Sequence, residues 1–283
     1  MDQYIALFLI KGIIVGSIYA LIALGFNAIY NTTGVVNFAQ GEFLMVGGIA
    51  AAWALSALSL PLALAIAFGL SAGAMTGLLV YTLAIRPVRA SPVTCIIITI
   101  GVSIVLRALA ALVWGTDPYH LPSLIEGDVT LAGAAIDYHS LAIVAVSGFC
   151  MLLLWLFYRV SRTGKAMRAC ADNMDAARLC GVSPKRMSAS AFSISALLGA
   201  VGGVMVTPIL SMSFDRGTML GLKGFAAAIL GGLANPVGCV VGGLAIGVLE
   251  QYACLISSVY RDILSLGVVV LVLLVRPRGL LGK

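Results

Sequence analysis

The stretch YNTTGVVNFAQGEFLMVGG, residues 30–48, sets Asn37, Gln40 and Glu42 between two long apolar runs. An unpaired polar group in hydrocarbon costs several kcal/mol. Side chains of this kind therefore either satisfy one another or face water and a polar solute. That is the chemistry of a conduit rather than of bond-making. Asn37 and Gln40 are three apart and share a face of an ideal helix, while Glu42 falls on roughly the opposite side from Gln40. One straight helix cannot turn all three the same way. Asn31-Thr32-Thr33-Gly34 supplies a turn signal at which a helix can end. Two readings follow. Either a discontinuous helix lines a water-filled cavity with these groups, or the turn sits at a membrane interface and Glu42 reaches water. Among the further ionisable residues inside apolar runs are Lys11, Arg107 and Glu250. Lys11 and Arg107 are near run ends, where snorkelling or pairing across helices serves them. Glu250, followed by Gln251, is deeper and reads as a cavity residue or as half of a structural ion pair.

Enzymatic chemistry finds no foothold in the sequence. Both histidines, His120 and His139, fall at or near one acidic segment. No Ser/His pair lies within the apolar runs, and no His/Glu cluster has metal-ligand spacing. No catalytic residue, metal or bound cofactor is expected.

The elements that must position these residues are hydrophobic. Of 283 residues, 61% are hydrophobic and 10% charged, where soluble domains carry about 25% charged residues. Apolar segments at roughly 4–30, 36–57, 60–85, 93–114, 139–158, 188–210, 218–234, 237–258 and 263–275 are too long for barrel strands and do not alternate. The expected fold is an all-α polytopic membrane protein of about 8–9 transmembrane or re-entrant helices, some broken, in one permease-like domain over 1–283. No polar stretch is long enough for a soluble core of its own. The first apolar run lacks a basic leader and is too long for a signal peptide, so it is expected to stay in the membrane. The cysteines Cys95, Cys150, Cys170, Cys180, Cys239 and Cys254 form no CxxC pair and read as reduced packing residues. Glycines recur at four-residue spacing (Gly12/Gly16, Gly69/Gly73/Gly77, Gly238/Gly242, Gly243/Gly247), the pattern of close helix crossings in lipid. The piece GLKGFAAAILGGLANPVGCVVGG, residues 221–243, is broken by small residues and Asn235 much as the opening stretch is broken near Asn37. This suggests an inverted repeat.

Charge gives the orientation. The formal charge is +6, placed at membrane edges as topology requires rather than for nucleic acid. Loop 159–187 holds Arg159, Arg162, Lys165, Arg168, Arg178, Lys185 and Arg186 against Asp172 and Asp175. Arg86 and Arg89, and Arg276, Arg278 and Lys283 in the tail, mark the same side. Loop 115–138 has Asp117, Glu126, Asp128 and Asp137 and no Lys or Arg, so it faces the other way. Three full spans before Arg86 put the amino terminus outside; one re-entrant piece among them puts it inside. Within the basic loop, residues 164–180 have no proline and no internal glycine, which favours a short amphipathic helix, with Gly181 as its stop and Ser183-Pro184 opening the next element. Its Ala169, Ala176, Ala177 and Leu179 form a surface that either another protein grips or lipid headgroups attract.

Asp175-Ala176-Ala177, three residues, then Gly181 resembles the EAA…G coupling loop of ABC-importer permeases, with Asp in place of Glu. Taken with residues 16–48, RPVRASPVTCIIITIGVSIVL (86–106), AAILGGLANPVGCVVGGLAIGVLE (227–250) and RPRGLLG (276–282), the whole chain resembles the inner-membrane permease of branched-chain (hydrophobic) amino-acid ABC importers. The resemblance implies a multi-pass subunit of the bacterial inner membrane, with loop 159–187 and the carboxyl terminus cytoplasmic. It implies a second homologous permease chain, two cytoplasmic ATPase subunits that bind the ATP, and a periplasmic solute-binding protein. The sequence has no GxxxxGK[ST] loop, in keeping with ATP hydrolysis elsewhere. On this reading Arg168, Asp172, Asp175, Ala176, Ala177 and Gly181 face the ATPase, and Asn37, Gln40, Glu42 and Glu250 border the path. A secondary transporter or channel for small amides, urea or organic acids is the rival, since broken helices and embedded carboxylates suit it too.

Overall fold

The computed structural model describes residues 2–88, 92–131, 134–256, 261–276 and 279–282. Arg89, Arg278 and Lys283, which entered the charge asymmetry, lie outside them. Each of the nine apolar segments is a helix: α1 (Asp2–Thr33), α2 (Gln40–Ser56), α3 (Leu62–Leu79, continued by a π-helical turn Val80–Ile85), α4 (Pro92–Trp114), α5 (Tyr138–Val160), α8 (Pro184–Leu210), α9 (Arg216–Gly231), α10 (Pro236–Ile256) and α11 (Arg261–Val275). Two short helices, α6 (Arg162–Asp172) and α7 (Met174–Leu179), fill the basic loop, and one hairpin, β1 (Asp128–Leu131) with β2 (Ala134–Asp137), lies in the acidic one. Among the described residues, six helices are long and apolar enough to cross a bilayer. The other three apolar helices have 17, 16 and 15 residues. At 1.5 Å per residue they reach only about 22–26 Å, short of the ~30 Å hydrocarbon core.

The bundle is built around α1, α2, α8, α9 and α10. Sequence glycines set the crossings. A Cβ at Gly16 would meet the Leu244 backbone at 2.8 Å, and one at Gly247 would meet Gly16 Cα at 2.3 Å, so α1 and α10 run antiparallel with backbones touching. Gly69 lies against Gly47 and Ala51, and Gly73 and Gly77 against Ala200 and Ala196, which seats α3 on α2 and α8. In lipid, where apolar burial drives little association, such contact supplies the packing energy. Replacing Gly247 by Leu is expected to force α1 off α10, at a cost of at least ~1–3 kcal/mol. Loss of the monodisperse fraction in size-exclusion chromatography would register it. The outer faces of α4 and α5 show the opposite surface, with Ile97, Leu112, Val113, Phe149 and Val160 all exposed, as lipid contact requires.

At one end of the bundle the acidic loop is folded down rather than loose. Tyr119 and Met212 exchange backbone hydrogen bonds at 2.8 Å, Leu121 is buried, and the His139 Nε2 meets the Met205 carbonyl at 2.9 Å. In the hairpin Asp128 stands directly opposite Asp137. The hydrogen bond between the two carboxyls, with their mutual repulsion, holds the Asp128 carboxyl above its ordinary value of 3.8. Because the folded value is raised, this group's contribution is fully present below 3.8 and is lost as pH rises through the raised value. Protection factors of the hairpin amides, with the intrinsic pH dependence of exchange divided out, are therefore expected to be higher in acid than at neutral pH, and Asp128→Asn to remove most of that difference.

Candidate functional site

The chain breaks where the polar stretch predicts. Gly34 takes φ +68°, a left-handed conformation that costs glycine least, and ends α1. Asn37 turns the chain into α2: its Oδ1 accepts from the Ala39 N–H at 3.1 Å, and its carbonyl accepts from the Gln40 N–H at 3.3 Å. The Phe38 N–H donates to Thr99 Oγ1 on α4 at 3.1 Å. Asn37 and Gln40 are fully buried and Glu42 is 1% exposed, so in this fold the three side chains reach water neither at an interface nor in an open cavity.

The break sends the three side chains to different neighbours. Gln40 Nε2 donates to the Ser195 carbonyl of α8 at 3.1 Å. The Ser195 hydroxyl lies within bonding reach of both Gln40 Oε1 and the Gly25 carbonyl of α1. Glu42 points to α4 and α9: Ser103 Oγ donates to its Oε1 at 2.8 Å and Thr218 Oγ1 at 2.9 Å, with Arg107 Nε at 3.6 Å. Arg107 thus resolves as a cross-helix partner rather than a snorkelling cation. The other carboxylate oxygen, Oε2, has no hydrogen-bond partner among the described residues. Gly41 and Thr218, on either side of Glu42, also line a small cavity of about 100 Å³ walled by Phe26, Phe38 and Phe225. The Phe225 ring packs at 5.4 Å from Phe26 and 5.0 Å from Phe38. Two neighbours of Glu42, whose Oε2 has spare acceptor capacity, thus also border an apolar recess.

Glu250 belongs to a separate cluster on the far side of α9. Lys223 Nζ sits 2.9 Å from its Oε1, and the Tyr19 hydroxyl donates to its Oε2 at 2.7 Å. The pair is buried, Lys223 at 8% and Glu250 at 2% exposure. It stands at the wall of a cavity of about 400 Å³ that Asp215, Arg216 and Gln251 also line. The Ser213 hydroxyl donates to Asp215 at 2.6 Å and holds that carboxyl below its ordinary value. Glu42 and Glu250 therefore do not share one site. Lys223 is the functional candidate that the sequence reading passed over. Its signal was Glu250 itself: a carboxylate that deep in an apolar helix needs a counter-charge, and Lys223 is the cation inside the preceding apolar segment.

The basic loop departs from the expected single helix. Asn173 leaves helical geometry at φ −157°, and its Oδ1 accepts from the Asp175 and Ala176 N–H groups, both at 3.0 Å. An asparagine side chain offers the backbone this alternative to helix continuation, so α6 ends and α7 begins. Ser161 caps α6 through the Gly164 N–H at 2.9 Å. Gly181 at φ +80° closes α7, and Ser183-Pro184 opens α8, as expected. The inward residues are Met167, Cys170 and Ala177. Ala177 therefore seats α7 on the bundle and is not on the outer face. Arg168, Asp172, Asp175 and Ala176 are exposed; Arg168 also donates to the Tyr158 carbonyl of α5, and Asp175 pairs with Arg178 at 3.0 Å. Leu179 is 91% exposed.

Residues 8–273 match the family model described as branched-chain amino acid transport system / permease component. The chain is 35% identical to the high-affinity branched-chain amino acid transport system permease protein LivH of Escherichia coli K12, over 96% of this chain and 94% of that protein. It is 35% identical to the corresponding permease protein BraD of Pseudomonas aeruginosa over 97% and 95%. It is 28% identical to a probable branched-chain amino acid transport permease protein LivH of Methanocaldococcus jannaschii over 95% and 90%.

Proposed function

Because the chain belongs to the branched-chain amino acid transport permease family, we propose that it is the membrane-spanning subunit of an ATP-driven importer for branched-chain or related hydrophobic amino acids. It works with a second homologous permease chain, two cytoplasmic ATPase subunits and a periplasmic binding protein. The basic α6–α7 end and the carboxyl-terminal tail face the cytoplasm of a bacterial inner membrane, by the charge rule. The amino terminus then lies outside, since α1, α2 and α3 alternate before Arg86.

The observation that carries this reading is Leu179. A leucine 91% exposed on a helix outside the membrane spans, with exposed Ala176 on the same short helix, leaves an apolar side chain available to a partner and supports this reading. The rest of α6–α7 is fastened to α5 and α8, through Arg168 on the Tyr158 carbonyl and through buried Met167 and Ala177. A push on Leu179 would be delivered to the bundle rather than absorbed by a loop. The bundle alternates between outward-open and inward-open states in response. Proteoliposomes holding this chain, its second permease chain and the ATPases, with the binding protein supplied on the opposite face, should accumulate labelled leucine only with ATP on the ATPase side. Uptake that persists without ATPase subunits would make the chain a secondary transporter or channel.

Along the path, Glu42 is the residue with unused capacity. Its Oε2 has no hydrogen-bond partner among the described residues, and its neighbours Gly41 and Thr218 line the Phe26/Phe38/Phe225 recess; a carboxylate and an apolar recess this close suit an ammonium group with an apolar side chain attached. Gln40 and Asn37 hold the helix break in shape around it. A hydrogen bond to a charged group contributes about 1.5–3 kcal/mol. Glu42→Gln is therefore expected to slow ATP-driven uptake by roughly tenfold to a hundredfold while expression stays normal. Wild-type initial rates would leave Glu42 a structural residue.

A further inference from the structure

One cavity lies away from the residues assigned to the path. It has a volume of about 600 Å³ and sits where the foot of α5 meets α6, the end of α1 and the start of α10. Arg159 and Arg168 line it against a single carboxylate, Asp172, with the Asn31 amide at its edge. The Arg159 guanidinium stacks over the Trp155 ring at 4.9 Å, which orients it while leaving its N–H edge for a ligand. Trp155, Pro236 and Val237 also line a second cavity of about 170 Å³ that continues along α5 past Leu152 and Met151 to Gly148. From Trp155 to Gly148 is about 10 Å along the helix axis, toward the middle of the membrane span. The second cavity is almost wholly apolar in its lining residues. Leu152 and Trp155 are exposed, at 56% and 43%.

We propose that these joined cavities bind one anionic phospholipid, with its phosphate between Arg159 and Arg168 and an acyl chain in the groove formed by Gly148, Met151 and Leu152. A basic recess opening at the membrane edge onto an apolar groove matches both ends of such a lipid. A free phosphate would use only the first part and a neutral lipid only the second. Basic pockets between transmembrane helices are general sites for anionic headgroups. The position has a consequence for coupling. Arg168 also fastens α6 to α5, so a lipid phosphate here braces the joint through which α7 reaches the bundle.

The test uses the full-length chain, purified with its second permease chain and given mixed micelles of phosphatidylglycerol and phosphatidylcholine in equal parts. Native mass spectrometry reads the lipid retained. Phosphatidylglycerol should be held preferentially, and Arg159→Gln should weaken retention about fivefold, the effect of roughly one basic contact. Gly148 has nothing within 4 Å of its would-be Cβ, so Gly148→Phe fits the fold, fills the groove, and should remove the tail contribution with the headgroup pocket intact. Equal retention of the two lipids, no response to either variant, or displacement by inorganic phosphate alone would overturn the assignment. So would loss of the lipid on adding the ATPase subunits, which would give the cavity to that partner.

Discussion

Lys223→Met, made with Glu250 in place, is expected to destabilise the protein by about 3–5 kcal/mol, because it strands a buried carboxylate without its counter-ion. Lys223 and Glu250 are 8% and 2% exposed and 2.9 Å apart between α9 and α10. Few other single changes in the chain remove so much. The double variant Lys223→Met, Glu250→Leu should recover most of that loss, since a buried pair exchanged for apolar groups of similar volume is often neutral or better. The recovery separates two roles. If the pair only holds α9 against α10, the double variant should transport as the parent does. If its cavity of about 400 Å³ handles the solute, stability should return without uptake. Thermal unfolding in detergent and ATP-driven uptake in proteoliposomes, measured on all three proteins, decide it. A single variant that melts with the parent would show that the ion pair carries no such weight.

Leu179→Glu should leave folding untouched and break coupling. At 91% exposure the side chain contributes almost nothing to the isolated subunit. Buried in a partner's groove it would contribute about 1.5–3 kcal/mol, so its loss should weaken ATPase docking roughly tenfold to a hundredfold. Solute-stimulated ATPase activity should fall with it, while melting temperature and membrane insertion stay at parental values. Asp175→Ala is a milder companion, since the exposed Asp175–Arg178 pair at 3.0 Å contributes less than about 1 kcal/mol to stability. Undiminished ATPase stimulation in Leu179→Glu would remove this helix from the coupling surface.

Much of the fold was legible because lipid simplifies the code. Hydrophobic length alone located nine helices, and glycine spacing marked faces that pack closely, while which helices meet there, α1 with α10 and α3 with α2 and α8, came from the structure. The break after Gly34 was legible too. The partners of the buried polar groups were not. Ser103, Thr218 and Ser195 are ordinary helix-face residues until the tertiary packing brings them to Glu42 and Gln40. Lys223 was hidden by its setting between glycines in an apolar run. The split at Asn173 was hidden by propensity, which sums over residues and misses one side chain that captures two backbone N–H groups.

Ser195 carries one proton and has two acceptors within reach, Gln40 Oε1 on α2 and the Gly25 carbonyl on α1. Rotating that hydroxyl trades one bond for the other without changing how many exist. The meeting point of α1, α2 and α8 is thus degenerate: two wirings of equal tally, selected by whichever neighbour stands nearer. A shift of α2 past α1 can pass through this junction without ever exposing an orphaned hydroxyl.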